Sequence, residues 1–496
     1  MHHHPVVYEA NACLLLRRLS DQYERSLTLA TIPEDEWHSF KRRGFDIVWL
    51  MGVWQRSPGA RQRALLEPSL RKEYDHALPG WTDNDVAGSP FAVYGYNLDP
   101  TLGTTTDLAK LKYGLNQQGL ALLLDFVPNH LALDHPWTFS HPQWFVRGKD
   151  ADIHLHPDWF YSPDGQIYLA HGRDPNFPPW TDTAQLNLCS MELRQALISE
   201  LLQIAEVADG VRCDMAMLAL NNVFENVWRE VIGDYSKPET EFWADAIGAV
   251  RKLHPDFIFL AEAYWGLERK LQGMGFDFTY DKVLYERLRF SSPSDIREYL
   301  IVDGAYQRHS AHFIENHDEE RAVSAFGRSR SLAAAVILTT VPGLRLFHDG
   351  QFEGRRIRLP IQLMREPEEP SDGEIENFYE RLLAACNSPA FHEGEWGMLE
   401  VSQVEGSNQR HHNLLAWQWR HPKQLKIVVV NYSPQSAKGW LRLPLLASIM
   451  KRIVVFDQLT GETYTQNVNQ LGSHGLFLDL NAWQAQILDM VTDLPS

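Results

Sequence analysis

The stretch GVRCDMAML, residues 210–218, sets an arginine and an aspartate two positions apart inside a run that is otherwise apolar. Read as a strand, its side chains alternate, so Arg212, Asp214 and Ala216 share one face while Val211, Cys213 and Met215 share the other. One face then carries two opposite charges and the other is core, with Cys213 a small core residue rather than a reactive thiol.

Seven further runs have the same character: PVVYEANA (5–12), FDIVWLMGVW (45–54), LALLLDFVPNH (120–130), FIFLAEAYW (257–265), FDFTYDK (276–282), HFIENHDEE (312–320) and VPGLRLFHDG (341–350). Between them lie stretches with apolar residues at three- and four-residue spacing, such as TTDLAKLKYGLNQQG (105–119), SMELRQALISELLQIAE (190–206) and SRSLAAAVILTT (329–340). Eight strands alternating with helices predict a parallel (β/α)8 barrel, whose strand cores are apolar on consecutive positions because helices cover them outside. The polar residues come late in the runs: Asp125, Asn129 and His130, then Arg212 and Asp214, then Glu262, then Asn316, His317 and Asp318. In such a barrel the C-terminal strand ends form one rim, where residues distant in sequence converge.

The connection after the third run is too long for a plain loop and is rich in Trp, His, Pro and Asp, so residues 131–186 are expected to form a small inserted domain. The barrel would comprise residues 1–130 and 187–395. From 396 to 496 short alternating strands such as LLAWQWR, LKIVVVNYS, KRIVVFDQLTGETY and WQAQILDM predict a C-terminal antiparallel β-domain, a sandwich.

Charge and cysteine usage narrow the class. The 46 basic and 64 acidic residues give a net charge of −18 spread along the chain, which argues against nucleic acid or an anionic membrane as partner. The four cysteines lie far apart with no CxxC pair, the first twenty residues lack a signal-peptide pattern, and no segment approaches eighteen apolar residues. A cytoplasmic protein is expected. His154 and His156 alternate without an evident third ligand, so no metal site is assigned to them.

Three carboxylates at three strand ends, with an arginine and two histidines, suit cleavage of an acetal. Retaining glycoside hydrolysis needs one ionised carboxylate as nucleophile and one carboxylic acid as proton donor. Arg212 would lower the pKa of Asp214, while the apolar and aromatic neighbours of Glu262 would desolvate it and raise its own. Asp318 would hold sugar hydroxyls, with His130 and His317 donating hydrogen bonds to the same ring.

These residues resemble the α-amylase family, glycoside hydrolase family 13. Four of its motifs occur in order at matching strands: DFVPNH (125–130), GVRCD (210–214), AEAYW (261–265) and IENHD (314–318). YGYNLDPTLGTTTDL (94–108) and PGLRLFHDGQFEG (342–354) are also similar to family sequence, so the resemblance runs along essentially the full chain. It implies Asp214 as nucleophile, Glu262 as general acid and base, and Asp318 as transition-state stabiliser. It further implies that Arg212, His130 and His317 frame the sugar, that Asp125 supports the arginine, and that Phe91, in SPFAVYGY, takes the place of a stacking tyrosine.

Two departures bear on substrate and metal. Where many amylases carry a Lys-His pair after the nucleophile, this chain has Met217 and Leu218. In TDTAQLN (181–187), Gln185 stands where an aspartate calcium ligand is common, so no cofactor is expected, although Asn129 keeps one ligand position for a structural calcium. The resemblance implies a retaining enzyme acting on the α-glucosidic bonds of α-glucans or maltooligosaccharides. Transglycosylation, or hydrolysis or phosphorolysis of a small α-glucoside, would use the same residues. A barrel retained only as a carbohydrate-binding scaffold is the alternative of another class, and such proteins usually lose one of the three carboxylates.

Overall fold

The computed structural model describes residues 2–233, 237–405, 409–422, 424–443, 452–467, 471 and 474–492. Eight parallel strands close into a barrel: β1 (Val6–Asn11), β2 (Ile47–Met51), β3 (Ala121–Phe126), β4 (Gly210–Cys213), β5 (Ile258–Ala261), β6 (Phe278–Tyr280), β7 (Ser310–His312) and β8 (Leu344–His348). Each falls within or against one of the eight apolar runs. The last two pairings, β7 with β8 and β8 with β1, complete the ring.

Local chemistry explains the elements. The helix Thr105–Gln117 begins at a capping box made by Thr104 and Asp107, and Met191–Val207 begins where the Ser190 hydroxyl accepts from Leu193 N–H. Helix Arg328–Thr340 is buried on nearly every side because the barrel lies on one flank and the C-terminal sheet on another. At Gly210 the strands run so close that a Cβ would sit 2.5 Å from the Ile258 carbonyl oxygen, which is why the nucleophile-like motif starts with glycine.

Between β3 and β4 the chain forms small antiparallel pairs, His130–Ala132 with Thr183–Gln185 and Phe160–Tyr161 with Leu169–Ala170, together with short helical turns. Beyond the barrel, a six-stranded antiparallel sheet and a three-stranded one pack into a sandwich around Leu414, Ala416, Ile427, Val429, Leu476, Leu478 and Leu488. Alternation splits the strand Leu414–His421 between two cores. Leu415, Trp417 and Trp419 face the barrel, and both indoles donate to the Thr340 carbonyl, at 2.9 and 2.7 Å. Residues 444–451 and 493–496 of the expected C-terminal domain, including the start of KRIVVFDQLTGETY, lie outside the described residues.

Among the described residues no helix is long and apolar enough to cross a membrane. All four cysteines are free thiols.

Candidate active site

Register brings the three central strands level. Arg212 pairs with Asp125 on one side and Leu260 on the other, so the residues just past Cys213 and Ala261, namely Asp214 and Glu262, emerge side by side at the rim. Backbone bonds fix their height: Asp214 N–H donates to Phe126 O at 2.9 Å, Glu262 N–H to Cys213 O at 3.0 Å and Ala216 N–H to Glu262 O at 3.0 Å.

One guanidinium joins the two carboxylates. Arg212 Nη1 lies 2.7 Å from Asp214 Oδ1 and Nη2 2.8 Å from Glu262 Oε2. The guanidinium is fully buried among the rings of Trp49, Phe91 and Tyr280, with centroids 5.4, 5.1 and 5.6 Å away. Charge-assisted bonds in such dry surroundings are strong.

The alternation expected for 210–218 holds only as far as Asp214. The strand ends at Cys213, and Met215 takes a left-handed conformation (φ 43°) that turns Ala216 off the charged face. Residues Ala216–Ala219 form a short 3-10 turn in which Met217 and Leu218 are buried. The positions of the missing Lys-His pair therefore belong to the core. The same turn aims Met215 N–H at Glu262 Oε2, 2.7 Å away.

Burial, with the charges of Asp214 and Asp318 adding to it and Arg212 opposing, pushes Glu262 up to about 7. Asp214 departs from the sequence expectation: burial raises its carboxyl above the ordinary value and Arg212 offsets this only in part. Asp318 goes the other way. Desolvation would raise it, but the charge and hydrogen bond of His317, with Arg212 behind, hold it well below the usual carboxylate range.

Asp318 stands in the loop after β7, its backbone set by Asn316 Oδ1, which accepts from Asp318 N–H at 3.0 Å and Glu319 N–H at 2.9 Å. HFIENHDEE is thus mostly rim loop, with the strand at its start. His317 lies between two carboxylates, with Nδ1 2.5 Å from Glu9 Oε1 and Nε2 3.1 Å from Asp318 Oδ2. Against the effect of burial, those two charges raise its pKa well above the ordinary histidine value. His130 is lowered to about 3 by burial and is a neutral imidazole.

Asp214, Glu262, Asp318, His130 and Phe91 line one cavity of about 250 Å³, with Trp180 and Asp182 of the inserted segment and Ile361 and Gln362 beyond β8. Arg212 stands behind the carboxylates and touches them rather than the cavity. Asp125 does not line the cavity. Its carboxylate accepts from Trp49 Nε1 at 3.0 Å and Gly52 N–H at 2.8 Å, and it supports Arg212 by its charge and by anchoring the indole that packs on the guanidinium. Of the aromatic residues in the insertion, Trp180 lines the cavity, 5.1 Å from the His130 ring, while Trp137 packs on Trp144 and Trp159 on His156.

The calcium position raised by Asn129 is filled by protein. Gln185 Nε2 donates to Asn129 O at 2.8 Å, Asn129 Oδ1 at 3.1 Å and Leu186 O at 3.1 Å. Three oxygens that could surround a cation instead surround an amide, and no carboxylate stands among them. The residues present do not fit a calcium ion.

Sequence reasoning missed Glu9, Tyr264, Tyr280 and Trp49. Glu9 had a signal, since a glutamate in the middle of VVYEANA is the same anomaly as the aspartate of GVRCD.

Comparison with known proteins identifies the chain's relatives. Residues 91–357, more than half of the chain, match the family model described as alpha amylase, catalytic domain. Alpha-amylase MalA of Haloarcula japonica is 28% identical over 64% of this chain and 40% of its own length. An alpha-1,4-glucan:maltose-1-phosphate maltosyltransferase of Bifidobacterium longum is 27% identical over 54% of this chain and 31% of its own. The chain thus spans less than half the length of either relative. In fold, it superposes on a noncanonic maltogenic alpha-amylase, AmyB of Thermotoga neapolitana, with a TM-score of 0.68 over 99% of both chains at 20% identity. With its closed barrel, its carboxylate cluster and the matched catalytic domain, the chain belongs to the alpha-amylase family.

Proposed function

We propose that this protein is a retaining α-glycosidase acting on the α-glucosidic bonds of α-glucans or maltooligosaccharides. The observation that carries the reading is the Arg212 fork, which holds Asp214 and Glu262 close together on one wall of a cavity that Asp318 also faces. Double displacement needs carboxyl groups roughly 5–5.5 Å apart, closer than inversion allows.

Asp214 attacks the anomeric carbon while Glu262, whose pKa of about 7 keeps a large share of it protonated near neutral pH, gives its proton to the departing oxygen. Arg212 neutralises both carboxylates as charge moves from one to the other. Water then surrenders a proton to Glu262 and displaces Asp214 from the sugar. Asp318, kept ionised by His317, binds the hydroxyls of the ring bearing the positive charge, and His130, lining the same cavity, hydrogen-bonds to the same sugar. Phe91 and Trp180 offer aromatic surface to its apolar faces.

Transfer to a second sugar is the alternative reading, favoured by the similarity to a maltosyltransferase. Hydrolysis or phosphorolysis of a small α-glucoside fits the core placement of Met217 and Leu218. Incubation with starch, maltooligosaccharides, trehalose, sucrose and glucosylglycerol separates these readings. Hydrolysis yields only shorter sugars with the α-anomer formed first, and transfer yields products longer than the substrate. No turnover with retained glucan binding would establish a scaffold instead.

A further inference from the structure

The two oxygens of Glu262 have different partners. Oε2 accepts from Met215 N–H at 2.7 Å and forms an ion pair with Arg212 Nη2 at 2.8 Å. Neither group can accept a hydrogen bond, so a proton on Oε2 would face an N–H and a fixed positive charge. Oε1 accepts from the Tyr264 hydroxyl at 2.8 Å, among the described residues the one partner of this carboxyl able both to donate and to accept. The backbone turns just beyond that contact: Trp265 and Gly266 are both left-handed (φ 65° and 74°). An aromatic residue in that conformation is unusual and points to a constrained site.

We propose that Tyr264 is a positioning residue for Glu262, confining the transferable proton to Oε1 and stabilising the carboxylate left when that proton has gone. The inference rests on the reading of Glu262 as the acid and base. In the first step the Oε1 proton passes to the glycosidic oxygen, the bond from that oxygen to the anomeric carbon breaks, and a bond from Asp214 to that carbon forms. Oε1 is then a carboxylate oxygen, held by donation from the Tyr264 hydroxyl. In the second step water bonds to the anomeric carbon, its proton returns to Oε1, and the bond to Asp214 breaks. One water is consumed and the enzyme is regenerated. Burial and the Glu262 charge keep the tyrosine itself protonated well past neutral pH, so it remains a donor throughout.

A hydroxyl that donates to a carboxylate favours its ionised form, so losing it raises the acid's pKa. Tyr264→Phe is expected to move the alkaline limb of kcat/KM upward by about one pH unit and to lower kcat about tenfold on unactivated maltooligosaccharides. Replacing the Tyr264 ring by 3,5-difluorotyrosine keeps the shape but strengthens the donor, and should move the same limb downward; this variant serves even if the phenylalanine protein folds poorly. A residue that only filled space would move neither limb, and limbs coincident with wild type in both variants would overturn the proposal. Infrared titration of the Glu262 carboxyl, assigned by its loss in Glu262→Gln, gives the same shifts without turnover. Should the wild type cleave no α-glucoside, the functional reading falls while this titration still decides the role of Tyr264.

Discussion

Arg212 concentrates the chemistry of the site in one side chain, because its planar guanidinium sets one nitrogen against each carboxylate in a fixed fork, where an ammonium would be a single point charge. Burial nevertheless outweighs Arg212 at Glu262. Its ordinary value of 4.5 becomes about 7 in the fold, so between those pH values the folded chain holds a proton that the unfolded chain has released, and stability falls as pH rises through that window. Glu262→Gln removes this titration while keeping an acceptor for Met215 and Arg212. The variant should lose turnover, and thermal melts should show its stability relative to wild type improving from about pH 4.5 to 7 and levelling off above; parallel curves would refute the assigned cause. At this scale the sequence was legible where strand alternation applied, which is how Arg212 and Asp214 were paired. That Asp125 acts on the arginine through Trp49 and stays off the cavity was not legible, because the β2–β3 pairing brings Trp49 beside it, which no spacing in the sequence reveals. Glu9 was passed over although it sits on the barrel strand beside the last one, within reach of His317.

One side-chain amide reinforces the backbone pairing between the end of β3 and the inserted segment. Gln185 pairs with His130 across a two-stranded ribbon and closes the oxygen cluster of Asn129 and Leu186, so it ties the insertion to the end of β3 beside the cavity. Chelators should leave the melting temperature unchanged, and added calcium should not raise it. Gln185→Asp exchanges the donor for a carboxylate among carbonyl oxygens: the variant should melt lower than wild type without metal and recover on addition of calcium. Destabilisation of the wild type by a chelator would contradict the account. The eight strands could be read from apolar runs bounded by turn residues, but their ends could not. Met215 ends the charged face by a left-handed turn, a conformation that nothing in CDMAML requires.

Across the whole molecule, barrel and C-terminal sheet share a core. Trp417 and Trp419 descend from one face of the sheet to the Thr340 carbonyl at the end of a barrel helix. Trp419→Ala removes a fully buried ring and one of two donors, and should cost about 3–5 kcal/mol in denaturant unfolding. A loss under about 1 kcal/mol would mean that the sheet is not packed on the barrel as described. The architecture was legible because a barrel of this type repeats its pattern eight times; the splitting of LLAWQWR between two cores was not, since alternation shows two apolar faces without saying what covers each.

The central claim is that Asp214 forms a covalent bond to the sugar. Incubation with a fluorinated α-glucosyl fluoride, followed by proteolysis and mass spectrometry, should show time-dependent inactivation with one glycosyl group on the peptide carrying Asp214, and no label in Asp214→Asn. A label on Glu262, on Asp318 or on any other carboxylate would contradict the account.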